Sequence, residues 1–282
     1  MTITTRAEAG AILTPDEIRT LLLDPVEAAS TAAAVSTLIP ITGPALRIPK
    51  MTETPSARWV SEGTEIGLSE AKFDELRITP TKLAGLTAIS NELAADSSPE
   101  AQQQVGQKLA ADVAAKIDTA YLSTVEGDEA ADAQQGLEHQ DATELTTAEG
   151  WTDGLDIFSE AVFTAEGNGA HLTHWLANPA DALALVKLRE ADGSNRQLLQ
   201  PDPTEPGRRI IDGKPLITDR NVTPGTIWGV DNTQSLLVVR QDAEITTSES
   251  VYFSKDSTAV RVIMRVGLGF TNPAGIMKIT TA

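Results

Sequence analysis

The longest regular pattern in the chain runs from Ser98 to Leu122. Val105, Leu109, Val113 and Ile117 recur every four residues, with Ala101, Ala110, Ala114 and Ala120 on the flanks of that stripe. The spacing places them on one face of an α-helix, and the opposite face takes Gln103, Lys108, Asp112, Lys116 and Asp118. Ser98 suits the N-cap, Pro99 suits the first helical position, where its missing N–H is no loss, and Glu100 opposes the positive end of the helix dipole. About two dozen residues at about 1.5 Å each predict a rod of roughly 35 Å, a spine on which the rest can pack.

Elsewhere the period shortens. Between Ile41 and Ile89, Gly and Pro interrupt candidate strands at Arg47 to Met51, Ala57 to Val60, Lys72 to Ile78 and Leu83 to Ile89. The segment from Thr52 to Glu75 is rich in charge and poor in large apolar residues, with Trp59 its one anchor. A two-stranded projection of that kind is marginal alone in water, so it predicts either a partner or a solvated hairpin. Before residue 35, Thr14 and Glu17 form a capping box around Pro15, and Ile18, Leu21 and Leu22 make a small apolar face that must dock to be stable.

After the spine comes an acidic stretch, Thr124 to Glu149, whose Glu126, Asp128, Glu129 and Asp132 do not follow calcium-loop spacing and read as a solvated loop. A helical pattern from Thr152 turns Leu155, Phe158, Ala161 and Val162 to one side, and His171 to Ala177 reads as a strand. A helix follows, capped by Asn178 and opened by Pro179, with Asp181 in its first turn and Leu183, Val186 and Leu188 expected inward. Asp212 and Gly213 between apolar flanks predict a tight hairpin over Ile210 to Ile217. Strands are expected at Ile227 to Val230 and Leu236 to Arg240. The most regular one puts Val260, Val262, Met264, Val266, Leu268 and Phe270 on a core face and Arg261, Ile263 and Arg265 on the other. Helices and strands alternate without a β-α-β rhythm, which predicts an α+β architecture.

Charge and composition narrow what such a body can do. With 282 residues and 41% apolar content the chain can build a real core. A formal charge of −18 excludes general affinity for nucleic acid or anionic lipid, which needs clustered Lys and Arg. Without cysteine there is no disulfide and no thiolate metal site. The first residues lack a signal-like apolar core and no run nears the ~20 residues that span a bilayer, so a soluble protein with no membrane partner is expected.

Candidate chemistry is sparse. His171 and His174 are three apart, a metal spacing only on a helix, and His139 stands alone. Gly167 with Gly169 and Gly267 with Gly269 lack the Lys or helix context of a phosphate cradle, and no nucleophile elbow is present. No catalytic, cofactor or metal site is expected. The enzyme alternative rests on carboxylates such as Asp181 or Asp231 and predicts a monomer or small oligomer with a deep pocket.

Several motifs occur in one order: A-R-W-V-S-E-G from Ala57 to Gly63, F-x-x-L-x-I-x-P-x-K-L from Phe73 to Leu83, and I-S-N-E-L-A-A-D from Ile89 to Asp96. Asp118, Gly136, W-L-A-N-P-A-D from Trp175 to Asp181, G-K-P-L from Gly213 to Leu216 and F-S-K-D with R-V-I-M-R-V-G between Phe253 and Gly267 follow. Together with the long helix and the charged projection, this series resembles tailed-phage major capsid proteins of the Hong Kong 97 type over residues 55 to 275.

The resemblance implies a Hong Kong 97-like capsid fold: an N-terminal arm over residues 1–35, an extended β-loop over 44–82, a peripheral domain with the spine over 83–123 and 241–268, and an axial domain over 124–240 and 269–282. It implies self-assembly into pentamers and hexamers of an icosahedral head that encloses double-stranded DNA without sequence-specific binding. The virion is then the expected location, after assembly in a bacterial cytoplasm. A portal and a separate scaffolding protein are the implied partners, the scaffold because no long helical domain precedes residue 35, with noncovalent contacts or a decoration protein as the source of cohesion. Expected subunit contacts are Arg58, Trp59, Glu62, Lys72 and Arg77 on the loop, Ile18 and Leu21 on the arm, and Arg261 and Arg265 on the last long strand. Where some relatives carry a Lys, an Asn and a Glu that weld the shell, this chain has Glu75, Asp256 and Ile263 or Met264. Noncovalent cohesion is therefore expected. An encapsulin-type nanocompartment shell shares the fold and is the nearest alternative.

Overall fold

Thirteen strands and four α-helices are seen in the computed structural model, which describes residues 30–53, 59, 63, 72–90, 99–123, 125, 134–148, 150–190, 194–199, 207–240 and 244–281. In chain order they begin with α1 (Thr31–Ala34), β1 (Thr37–Ile41), β2 (Leu46–Glu53), β3 (Lys72–Ile78), β4 (Thr81–Ser90) and α2 (Pro99–Leu122). Then come β5 (Thr143–Thr147), α3 (Asp156–Gly167), β6 (His174–Ala177), α4 (Pro179–Lys187), β7 (Arg209–Ile211), β8 (Lys214–Thr218), β9 (Thr226–Val230) and β10 (Ser235–Arg240). The chain closes with β11 (Glu244–Tyr252), β12 (Ser257–Phe270) and β13 (Met277–Thr281). The expected arm helix, residues 126–133 of the acidic stretch and the Ala57 to Val60 strand apart from Trp59 lie outside the described residues; the rest of the acidic stretch is not the expected solvated loop, because Leu137 is buried and Thr143–Thr147 pair as β5. The chain divides into two compact units, one with Leu83–Lys116 and Asp242–Met264, the other with Thr31–Lys82, Ile117–Gln241 and Arg265–Ala282.

The second unit is built on a six-stranded sheet of order β5-β13-β9-β6-β8-β7, parallel at β5/β13 and β6/β8 and antiparallel elsewhere. Trp175 is its centre. Gly229 faces it in register, and a Cβ on that glycine would come 2.6 Å from Trp175 Cζ3, so only glycine leaves room for the indole. Trp175 Nε1 donates to the Ile211 carbonyl at 3.1 Å, Phe158 meets the ring edge-on at 5.1 Å, and Trp151 lies beyond Phe158 at 6.5 Å. Phe158, Ala161 and Val162 lie on the buried face of α3, as the spacing predicted, joined by Ala165, while the expected Leu155 precedes the helix and is half-buried. The helix starts at Asp156 and not at Thr152, because Gly150 and Gly154 take φ of 67° and 100°, and the segment Gly150–Asp153 turns as a 3-10 helix.

Asn178 caps α4 as expected, its side chain accepting from Ala180 N at 3.1 Å. The inward face differs. Asp181, Ala182 and Leu185 are buried, whereas Leu183 is 54% exposed. The cause is Asp181, which accepts from Trp151 Nε1 at 2.8 Å and from Gly225 N at 2.9 Å and so turns its own side of the helix to the core. The preceding strand spans His174–Ala177, leaving His171 in the approach to it. The β7–β8 hairpin forms on Asp212 and Gly213, both at positive φ.

In the same unit β1 lies parallel to β10, and β10 pairs antiparallel with the end of β12. Asp118, expected on the solvent face of the spine, is buried because it accepts from Ala32 N at 2.9 Å and holds α1 in place. Thr31 Oγ1 adds a bond to Asp219 at 2.6 Å. Tyr121 is fully buried, sharing a hydrogen bond with Ser235 at 2.8 Å, and Ser235 in turn bonds Ser36 at 2.8 Å. Gly136 abuts the carbonyls of Ala120 and Tyr121 so closely that no side chain fits there.

The first unit contains the start of α2, with Ala110, Val113 and Ala114 buried and Lys108, Asp112 and Lys116 exposed, the amphipathic face read from the sequence. β11 pairs antiparallel with β12 from Glu244 against Ile263 to Ser248 against Ala259, and β4 also pairs β12. Gly85 of β4 faces Leu109 of α2, where a Cβ would lie 3.6 Å from Leu109 Cδ2.

Candidate assembly surfaces

β2 and β3 form a two-stranded sheet of their own, antiparallel from Leu46 against Ile78 to Lys50 against Asp74 and on to Glu53 against Lys72. Its root is fixed by Ile78, 2% exposed, which packs with Leu236 and Val238. Ile78 also lies across Gly267 and Gly269 of β12, where a Cβ on Gly267 would come 2.8 Å from Ile78 Cγ2 and one on Gly269 2.6 Å from Ile78 Cγ1. This explains the paired glycines that no phosphate-binding context accounted for. They are the seat of the ribbon. Gln134 braces the same place, accepting from Leu268 N at 3.1 Å and donating to Thr81 Oγ1 at 3.0 Å.

Of the expected contact residues, Ile18, Leu21, Arg58 and Glu62 lie outside the described residues. Trp59 is 103% exposed. Arg77 is exposed on β3 and faces Arg47 in register, and Arg47 bridges to Glu75 at 3.3 Å. Lys72 opens β3 opposite Glu53. Arg261 is exposed beside Thr246 at 3.5 Å, and Arg265 is half-buried. Lys72 and Arg77 share one strand and Arg261 and Arg265 another.

The carboxylates named for an enzyme alternative have structural duties. Asp181 is engaged as described, and Asp231 accepts from His171 N at 2.9 Å, Thr233 N at 2.9 Å and Thr233 Oγ1 at 2.7 Å, which pins the β9–β10 turn. Burial, and then the charge of Arg208, hold His174 below its ordinary value, so it is neutral near pH 7. A cavity of about 10 Å³ lined by Asp231, Gln234, Ser235 and Phe270 has room for one water. Among the described residues no group of three or more His, Cys, Asp or Glu is placed to hold a metal ion, and no helix is long and apolar enough to cross a membrane.

A long helix, an α+β body and a separately paired ribbon seated on a glycine-bearing strand define a class of protein, the Hong Kong 97-like capsid fold. Solved structures agree: the capsid of a native GTA particle superposes with a TM-score of 0.71 over 100% of this chain and 95% of its own at 16% identity. The chain from Mycobacterium phage Adephagia gives 0.70 over 90% of each at 14% identity. In sequence, the major capsid protein of Klebsiella oxytoca phage phiKO2 is 20% identical over 304 residues, covering 98% of this chain and 69% of that protein. Residues 10–281 match the Phage capsid family, and the chain belongs to that family.

Proposed function

We propose that this chain is the major capsid protein of a phage head, a structural subunit that assembles through pentamers and hexamers into an icosahedral shell around double-stranded DNA. The observation that carries the reading is the family match across residues 10–281. The acidic balance of −18 fits it, because a negative wall repels packed DNA and lets it move. In this reading residues 1–35 are the arm, 44–82 the extended loop, 83–123 and 241–268 the peripheral domain, and 124–240 with 269–282 the axial domain. The division at Lys116/Ile117 and Met264/Arg265 supports two bodies of roughly that extent.

Cohesion is noncovalent and comes from many modest contacts. A fully exposed Trp59 at the ribbon serves as anchor on a neighbouring copy, and exposed pairs such as those Arg77 or Arg261 can form contribute about 0.5 kcal/mol each, multiplied around the rings. Ile18 and Leu21 dock the arm. The chain carries no enzymatic activity, works with a separate scaffold, a portal and a decoration protein, and resides in the virion after assembly in the host cytoplasm. Light scattering and electron microscopy of the purified chain, alone and with its scaffold, test this. Closed shells or rings of five and six are expected, and a monomer under every assembly condition would refute it.

A further inference from the structure

The six-stranded sheet carries opposite charge at its two ends. Between Lys116 and Lys187 the sequence has no lysine or arginine, and this stretch supplies β5 at one edge and α3, which packs on β5 and β13. The exposed positions along α3 include Asp156, Glu160, Phe163 and Glu166, a stripe at three- and four-residue spacing. Phe163 is 72% exposed among those carboxylates. At the opposite edge the β7–β8 hairpin brings Arg208, Arg209 and Lys214, and α4, which packs on β8, adds Lys187 four residues after the exposed Leu183 on the same helix face.

Five strand spacings of about 4.8 Å put the edges roughly 24 Å apart, about three Debye lengths at physiological salt. The two charge sets therefore do not neutralise one another within one copy. Each edge has the make-up of an interface, an apolar side chain left in water beside a rim where one sign of charge predominates: Lys278 offsets Glu144 on β5 and leaves the α3 carboxylates, and Asp212 and Glu190 stand among the more numerous cations of the other edge. Two different patches of opposite sign at opposite ends of one sheet are what a head-to-tail contact needs, and head-to-tail contacts close into rings when the rotation between copies divides a full turn.

We propose that a second copy of this chain seats its basic α4 and β7–β8 end on the acidic α3 and β5 end of the first, with Phe163 and Leu183 as the apolar centres of the joint. The proposal rests on the shell reading and specifies the contact that closes its rings.

Because the native chain has no cysteine, crosslinking is unambiguous. Full-length Phe163→Cys/Leu183→Cys protein, assembled and treated with a short bis-maleimide, is expected to give a denaturing-gel ladder ending at five and six copies, while each single variant gives none. Dimers from Phe163→Cys alone would mean that the acidic patch meets itself and would overturn the proposal. So would normal particles of the double variant without any ladder, a result that leaves the shell reading standing. Independently, Glu160→Lys and Arg208→Glu should each cut assembly at ~0.15 M salt about tenfold, and their combination should return it to within about twofold. A combination no better than either single variant contradicts the charge pairing. If the unmodified chain forms no oligomer at all, it is the shell reading that fails.

Discussion

Replacing Gly269 by alanine would drive a methyl group into the side chain of Ile78, and that collision can be used to measure how the ribbon is seated. Ile78 is 2% exposed, so Ile78→Ala should destabilise the unassembled chain by about 3 kcal/mol, within the usual range for a buried isoleucine. Gly269→Ala should cost about 2 kcal/mol from overpacking, less about 0.5 kcal/mol from a stiffer unfolded chain. Were the two independent, the double variant would lose roughly 4.5 kcal/mol. Because the new methyl fills part of the space that Ile78 vacates, the double should lose only about 3 kcal/mol, a coupling of about 1.5 kcal/mol. Urea unfolding followed by the fluorescence of the four tryptophans reads all four corners of the cycle. Additivity to within about 0.5 kcal/mol would show that Ile78 is not seated on the glycines.

Gly136→Ala meets backbone carbonyls that cannot rotate away, and it should abolish soluble folded protein or lower stability by more than about 3 kcal/mol in the same assay. Trp59→Ser should leave unassembled stability within about 0.5 kcal/mol, since the indole is fully exposed, while lowering shell yield in sedimentation. Burial pushes Tyr121 above 10.0 against its bonds to Ser235 and Ser36, and Lys278, pulled down by burial, is raised above 10.5 by Glu138 and Glu144 at 3.2 and 3.3 Å. Both groups bind their protons more tightly folded than unfolded. Their stabilising contribution is thus complete below about pH 10 and lost as pH climbs through the folded values, and Tyr121→Phe/Lys278→Met should flatten that alkaline decline in thermal melts.

Much of this fold is legible because strong local signals mark it. Pro99 and the alanine stripe announce α2, Asn178-Pro179 announces α4, and Asp212-Gly213 sets the β7–β8 turn. What escaped was tertiary. β5 (T-E-L-T-T) and β13 (M-K-I-T-T) have little apolar pattern and become strands by pairing with each other across the chain, and β1 by lying beside β10. Asp118 and Asp181 look like solvent-face and first-turn charges, yet each is drawn inward by a backbone N–H far away in sequence. That pull is also why Leu183 faces water. Of the expected contact residues, Trp59 stood out as the one tryptophan in a charged segment. Phe163 did not, although it lies off the buried stripe of its helix within a stretch devoid of lysine and arginine, and those two signals together would have marked it.

The most direct test of the account is a cryo-electron microscopy reconstruction of particles assembled from this chain. The account predicts closed icosahedral shells of pentamers and hexamers with Trp59 covered by a neighbouring copy. Homogeneous monomers, or particles in which Trp59 and the β2–β3 ribbon stand free of every neighbour, would contradict it.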